Sequence, residues 1–254
     1  MATARKPKET GSKTELPLPE RHVSMSNALA RASHDLNLAE KRVVACGLAS
    51  TDSKSPHSFN QAMVNGGWIV RLTALEYAAF AGIDPNTAYE QLGDVAKTLA
   101  KKHWTIRDGK KISRYPWLSR STYHEGEGWL ELEFTHHTAP HLLALRKGFT
   151  SYRLKRASGL RSAYSWRLLE CLESWKSVGT WRPTVEDFCH AMDAKPSHRS
   201  NFGMLRRSVI EPSVAELRRS DNLIIDWEAI KAGRKVTSLV FKFRPNPQAQ
   251  LPLG

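Results

Sequence analysis

Apolar positions recur at helical spacing in two parts of this chain, and each time a capping signal marks where the helix begins. Thr73 followed by Glu76 has the capping-box spacing, in which a hydroxyl accepts the backbone N–H three residues on and the carboxylate reaches back to the cap. It opens a short run carrying Leu75, Tyr77, Ala78 and Phe80, which Gly82 and Pro85 close. From Pro85, suited to a first helical position, Ala88, Leu92, Val95, Ala96 and Leu99 share one face and predict a helix over residues 85–101. The same order returns about 110 residues later, as an internal repeat. Thr184 precedes Asp187, Phe188 follows as Tyr77 does in the first copy, and Met192 with Pro196 ends the run. A second helix is then predicted over residues 199–219 from Phe202, Leu205, Val209, Val214 and Leu217. Pro212 sits inside it, so the helix either kinks or breaks near Glu211.

Each helix pair leads into strand-like segments joined by a basic turn, the addition that makes a winged helix of a helix-turn-helix. In the first copy Trp104 to Arg107 passes through Asp108-Gly109, a hairpin signal, towards the alternating Leu130, Leu132 and Phe134. In the second, Leu223 to Trp227 passes through Lys231, Gly233, Arg234 and Lys235 to Leu239, Phe241 and Phe243. Between the copies, residues 140–148 read as a helix and its end. Residues 160–176 read as a longer helix, with Leu160, Tyr164, Leu168, Cys171 and Trp175 on one face, opening the second copy. The expected architecture is α+β: two tandem, pseudo-symmetric winged-helix domains over residues 24–145 and 146–245. Polar, proline-bearing tails are expected at residues 1–23 and 246–254.

Composition adds a partner. The net charge is +13 over 254 residues, and a surplus of that size favours a polyanion, because neutralising phosphates releases condensed counterions. The surplus is uneven: residues 1–145 carry 18 Lys and Arg against 15 Asp and Glu, whereas residues 146–254 carry 20 against 10. Cys46, Cys171 and Cys189 are odd in number and lack CxxC pairing, which argues against a disulfide framework or a zinc ribbon and fits a reducing cytoplasm. No apolar stretch approaches the roughly 20 residues of a membrane span, and no signal-peptide pattern opens the chain, so a cytoplasmic protein without a membrane partner is expected.

Candidate DNA contacts follow from residue type. Lys195, Ser197, His198, Arg199, Asn201, Arg206 and Arg207 lie at the start and first turns of the second copy's second helix. Arginine can pair bidentately with guanine and asparagine with adenine from the part of a recognition helix that enters the major groove; a basic face that meets only phosphates is the alternative. Arg234 and Lys235 at a hairpin tip, with Lys231 nearby, suit the DNA backbone. The first copy offers a milder surface of Asn86, Thr87, Lys97 and Lys101, with Arg107, Lys110 and Lys111 on its basic turn. Enzyme chemistry finds little support. His136, His137 and His141 lack the spacing of a nicking enzyme's metal site, and no HExxH, Walker loop or nucleophile elbow is present. No catalytic residue, metal or cofactor is expected.

The residues also resemble a known family, the theta-type plasmid replication initiators of the Rep3 group. The resemblance covers most of residues 24–245. It is carried by Asn27-Ala28-Leu29-Ala30-Arg31-Ala32 with Asp35-Leu36-Asn37-Leu38 and Lys41-Arg42, and by Phe149-Thr150-Ser151-Tyr152 with Ser162, Tyr164 and Arg167 to Glu170. Leu205 to Pro212 and the segment from Lys231 to Phe243 complete it. The resemblance implies monomers binding direct repeats (iterons) at an origin, with opening of the origin and recruitment of the host initiator and replicative helicase. It also implies dimers that bind an operator inverted repeat and repress the protein's own gene, with the dimer interface in the first module. A two-module transcriptional repressor without a replication role is the other reading left open.

Overall fold

The computed structural model describes residues 16–51, 56–143, 145–221 and 223–246. Most of the expected N-terminal and C-terminal tails, residues 1–15 and 247–254, lie outside them. The chain is ordered earlier than expected: Leu18, in a single 3-10 turn (Leu18–Glu20), and Val23, in β1 (His22–Ser26), are both buried. The first domain therefore begins before residue 24, because those side chains join its core.

The first module runs α1 (Asn27–Arg31), α2 (Leu38–Ala49), α3 (Pro56–Val64), β2 (Gly67–Thr73), α4 (Ala74–Ala81) and α5 (Pro85–Leu99). It continues through β3 (His103–Asp108), β4 (Lys111–Pro116), β5 (Leu118–His124) and β6 (Trp129–Thr135). The capping box foreseen at Thr73 is formed: its hydroxyl accepts from Glu76 N at 3.2 Å, and the Glu76 carboxylate accepts from Thr73 N at 2.9 Å. A second box, Asn37 with Glu40, starts α2. Each such cap contributes about 1 kcal/mol to helix stability. α5 buries Ala88, Leu92, Val95 and Leu99 as its apolar face demands. The sheet has the order β2-β6-β5, and β2 lies so close to β6 that a Cβ on Gly67 would stand 2.1 Å from the Phe134 carbonyl oxygen.

After α6 (Ala139–Leu142), β7 (Phe149–Arg153) returns to pair antiparallel with β1, and α7 (Lys155–Ser158) leads to α8 (Ala163–Glu173). α8 starts at the Ser162 cap, later than the apolar pattern suggested. The second module follows with β8 (Thr180–Trp181), α9 (Val185–Ala191), α10 (Pro196–Ser200) and α11 (Phe202–Leu205). Beyond α11 come a π-helical turn (Arg206–Ile210), α12 (Glu211–Ser220), β9 (Leu223–Ala232) and β10 (Lys235–Pro245). Thr184 caps α9 by accepting from Asp187 N at 3.0 Å, as expected. Its sheet has the order β8-β10-β9.

Both modules thus run helix, strand, helix, helix, strand, strand, with the first strand paired to the last. That common order makes α2 and α8, α4 and α9, and α5 and the α11–α12 helix equivalent. It also corrects the placement of the first wing. The strand pair equivalent to β9–β10 is β5–β6, whose connection, residues 125–128, carries Glu125 and Glu127 and no basic residue. The basic Asp108-Gly109 turn instead joins β3 to β4, a separate two-stranded hairpin inserted between α5 and β5. The hairpin signal holds, but the hairpin it marks is not the wing.

Candidate nucleic-acid interface

The helix predicted over residues 199–219 divides in two. Lys195 to Ser200 belong to α10 and its entry, and Asn201, with extended backbone (φ −135°, ψ 106°), separates this turn from α11. Asn201 accepts from Met204 N at 3.1 Å as the N-cap of α11. Its Oδ1 thereby spends one of its two lone pairs on the start of α11. His198 is half-buried, with its ring edge-on to Tyr164 at 6.2 Å. Arg199 is exposed but anchored through its Nε to the Ala194 carbonyl at 2.6 Å. Lys195 and Ser197 are exposed on the same turn.

The side chains best placed on the recognition helix are Arg206 and Arg207, both exposed on the π-helical turn. Pro212 explains that turn. Proline has no N–H to donate and its ring crowds the carbonyl four residues back, and the chain accommodates it by widening Arg206–Ile210 before α12 resumes, so the helix does not break. The wider turn brings Arg206 Nε within 2.6 Å of Glu211 Oε1, and the guanidinium lies 5.9 Å from the centre of the Trp227 ring. Neither partner was read from the sequence. An Arg and a Glu five residues apart do not face each other on an ordinary α-helix, although Pro212 one residue after the Glu was a usable clue.

The second wing agrees with the sequence. Lys235 pairs with Ala232 and Lys231 with Val236 across the β9–β10 ladder, and Gly233 takes the positive φ (61°) that opens the two-residue turn. Lys231, Arg234 and Lys235 are all exposed there. The inserted hairpin has the same build: Asp108 pairs with Lys111 around Gly109 (φ 57°) and Lys110. Its stem lies against the second module, with Arg107 ion-paired to Glu186 on α9 and His190 of the same helix within 3.1 Å of the Thr105 carbonyl. The basic turn of the first copy therefore stands beside α9 of the second.

The first module's own helix and wing are different in character. Asn86, Thr87, Lys97 and Lys101 are exposed on α5 or just after it, but Lys97 is paired with Asp94 at 3.2 Å and Glu90 shares the exposed surface. The acidic β5–β6 turn is tied to α5, for Gly126 N donates to the Tyr89 hydroxyl at 2.6 Å. The three cysteines are buried, and burial pushes each thiol up, Cys171 to about 11. His141 Nδ1 is hydrogen-bonded with Ser26 Oγ at 2.8 Å. Among the described residues no cluster could hold a metal ion, and no helix is long and apolar enough to cross a membrane.

Two winged-helix modules in tandem, the second with a basic recognition helix and wing, define a DNA-binding protein of the tandem winged-helix class. The family described as "Initiator Replication protein, WH1" matches residues 22–173, and that described as "Initiator Rep protein, WH2" matches residues 184–243. The chain belongs to this Rep3 family of plasmid replication initiators. It is similar to the PI protein of Escherichia coli, with 24% identity over 252 residues, covering 85% of this chain and 80% of that protein. It also resembles a probable replication protein of Bifidobacterium longum, with 24% identity over 162 residues, covering 62% of this chain and 54% of that one. The crystal structure of the Pi initiator protein in complex with iteron DNA shares the fold, with a TM-score of 0.73 at 23% identity over 90% of this chain and 99% of that chain.

Proposed function

We propose that this initiator binds direct repeats at its plasmid origin as a monomer, promotes opening of the origin and recruits the host initiator and replicative helicase. As a dimer it represses its own gene from an operator inverted repeat. Primary recognition belongs to the domain of residues 146–245; dimerisation and secondary DNA contact belong to that of residues 24–145. The protein works in the cytoplasm without a catalytic step of its own.

The observation that carries the reading is the coincidence, on one module, of an exposed Arg206–Arg207 turn and a wing bearing Lys231, Arg234 and Lys235. A helix in the major groove and a wing on the backbone divide the labour between base readout and positioning. The related Pi initiator was crystallised in complex with iteron DNA, which supports direct repeats as the target here. The test uses a DNA segment carrying this gene and its flanking repeats as the only replicon. It should be maintained with the native protein and lost when Arg206 and Arg207 are both replaced by Ala. Maintenance with the double variant, while repression fails, would refute the initiator role.

A further inference from the structure

Arg107, Arg199 and Lys235 come from three elements far apart in sequence, the inserted hairpin, α10 and the second wing, yet they line one open groove. Two threonines, Thr184 and Thr237, line it with them, and Glu186 is the one carboxylate among its described lining residues. Both walls are fixed. The hairpin is held to α9 through Thr105, His190 and the Arg107–Glu186 pair, and β10 is bridged to the start of α9 by Thr184 and Ser238. From the hairpin wall the exposed Lys110 and Lys111 continue the positive strip outward.

We propose that this groove seats the sugar-phosphate backbone of duplex DNA, with both modules contributing, and that Glu186 gates it by holding Arg107 until a phosphate replaces the carboxylate. The proposal rests on the DNA-binding reading above and adds the site, its joint ownership and the gate. The three cations suit phosphate oxygens, which accept hydrogen bonds from arginine and lysine alike, while the Thr184 hydroxyl donates to Asp187 Oδ2 at 2.7 Å and that of Thr237 to the Ile230 carbonyl at 3.4 Å. Arg107 and Glu186 are both partly open to water, so their pair contributes little to folding and is readily exchanged, whereas a guanidinium can take a phosphate in bidentate fashion. The carboxylate stays beside the seated phosphate and repels it. A backbone held there touches both modules at once, so binding fixes their relative orientation on the duplex.

The test measures binding of the full chain to a random-sequence duplex and to the origin repeats over a series of salt concentrations, with ethylation interference to locate critical phosphates. Glu186→Gln should tighten binding to both DNAs by about threefold or more at low salt with little change in the salt dependence, to which each phosphate neutralised contributes about 0.9 in slope, since Arg107 takes the same phosphate in the native complex. Arg107→Ala should weaken both alike, flatten the slope by a similar amount and abolish interference at one phosphate, and Arg107→Lys should fall between. Unchanged or weaker binding by a folded Glu186→Gln protein would overturn the groove, as would identical interference patterns for Arg107→Ala and the native protein. Preference for repeats over random DNA is a separate reading: its absence refutes iteron recognition and leaves the groove effects standing.

Discussion

His34 shows how much one buried side chain is asked to do. Its ring is fully buried, with Nε2 2.8 Å from the Leu29 carbonyl and Nδ1 3.0 Å from Lys41 Nζ and 3.1 Å from Arg167 Nη1. A carbonyl on one side and two cationic donors on the other select the neutral tautomer with the proton on Nε2. Burial, then the Arg167 and Lys41 charges, hold the imidazole well below its ordinary range. Glu170 answers those charges, 2.7 Å from Lys41 and paired with Arg167, while Asp193 accepts from His34 N at 2.9 Å and His190 adds a further weak positive influence. Burial also draws the Lys41 ammonium down to about 8, against the pull of Glu170. The unfolded chain protonates His34 near pH 6.5 and the native one does not, so stability is present above that pH and is lost as pH falls below it. The loss approaches about 1.4 kcal/mol per pH unit for this group. His141 and His190, whose pKa values are also lowered by burial, act in the same direction. Urea unfolding at pH 7.5 and 5.5 should show a smaller acid-induced loss for His34→Gln than for the native protein; equal losses would contradict the assignment. Arg167→Ala removes the main counter-charge and carbonyl donor of the cluster, and should cost about 3–5 kcal/mol in the same assay at pH 7.5.

At the scale of elements, the recognition helix makes unequal partners of adjacent arginines. Arg206 must leave Glu211 and the Trp227 face before it can reach a base, whereas Arg207 has no ion pair among the described residues. Arg207→Ala is therefore expected to lose more specific binding, within the roughly 1–3 kcal/mol of a good base contact, and Arg206→Ala less. Competition against random-sequence DNA checks this: a larger loss for Arg206→Ala, or equal losses on specific and random DNA, contradicts it. The elements also mark what the sequence could carry. Caps at Thr73 and Thr184, the α5 face and the second wing were legible because their signals are local, a few residues apart. The first wing was misplaced because Asp108-Gly109 and the Glu125 to Gly128 segment are both good turns, and only strand pairing shows which belongs to the module's sheet. The capping role of Asn201 was not legible because a helix N-cap and a base contact favour the same side chain. The His34 cluster left no pattern at all, since Lys41 and Glu170 are 129 positions apart.

At the scale of the molecule, α8 belongs to both halves. By its place in the element order it is the first helix of the second module, equivalent to α2, yet Arg167 and Glu170 on it also reach into the first. Arg167 donates to the Ala30 and Ala32 carbonyls at 2.9 and 2.5 Å, and Lys41 of α2 meets Glu170 inside the interface. Arg31 reaches across to Ser174 at 2.9 Å and stacks on Trp175 at 4.1 Å, and Arg42 donates to the Leu160 carbonyl at 3.1 Å. Separating the modules would strand the Lys41 ammonium without Glu170 and take the Arg167 guanidinium away from the Ala30 and Ala32 carbonyls, a cost that an ordinary linker between domains does not carry. The two modules should therefore unfold together although each has its own sheet. Equilibrium urea unfolding followed by tryptophan fluorescence and by far-UV circular dichroism should give coincident single transitions for the native chain, the mark of all-or-none behaviour. In Glu170→Ala, where two buried cations lose their shared partner, the two signals should part and the transition broaden, because the weaker module then opens alone. Two separate transitions in the native protein would show that the buried cluster does not couple the modules.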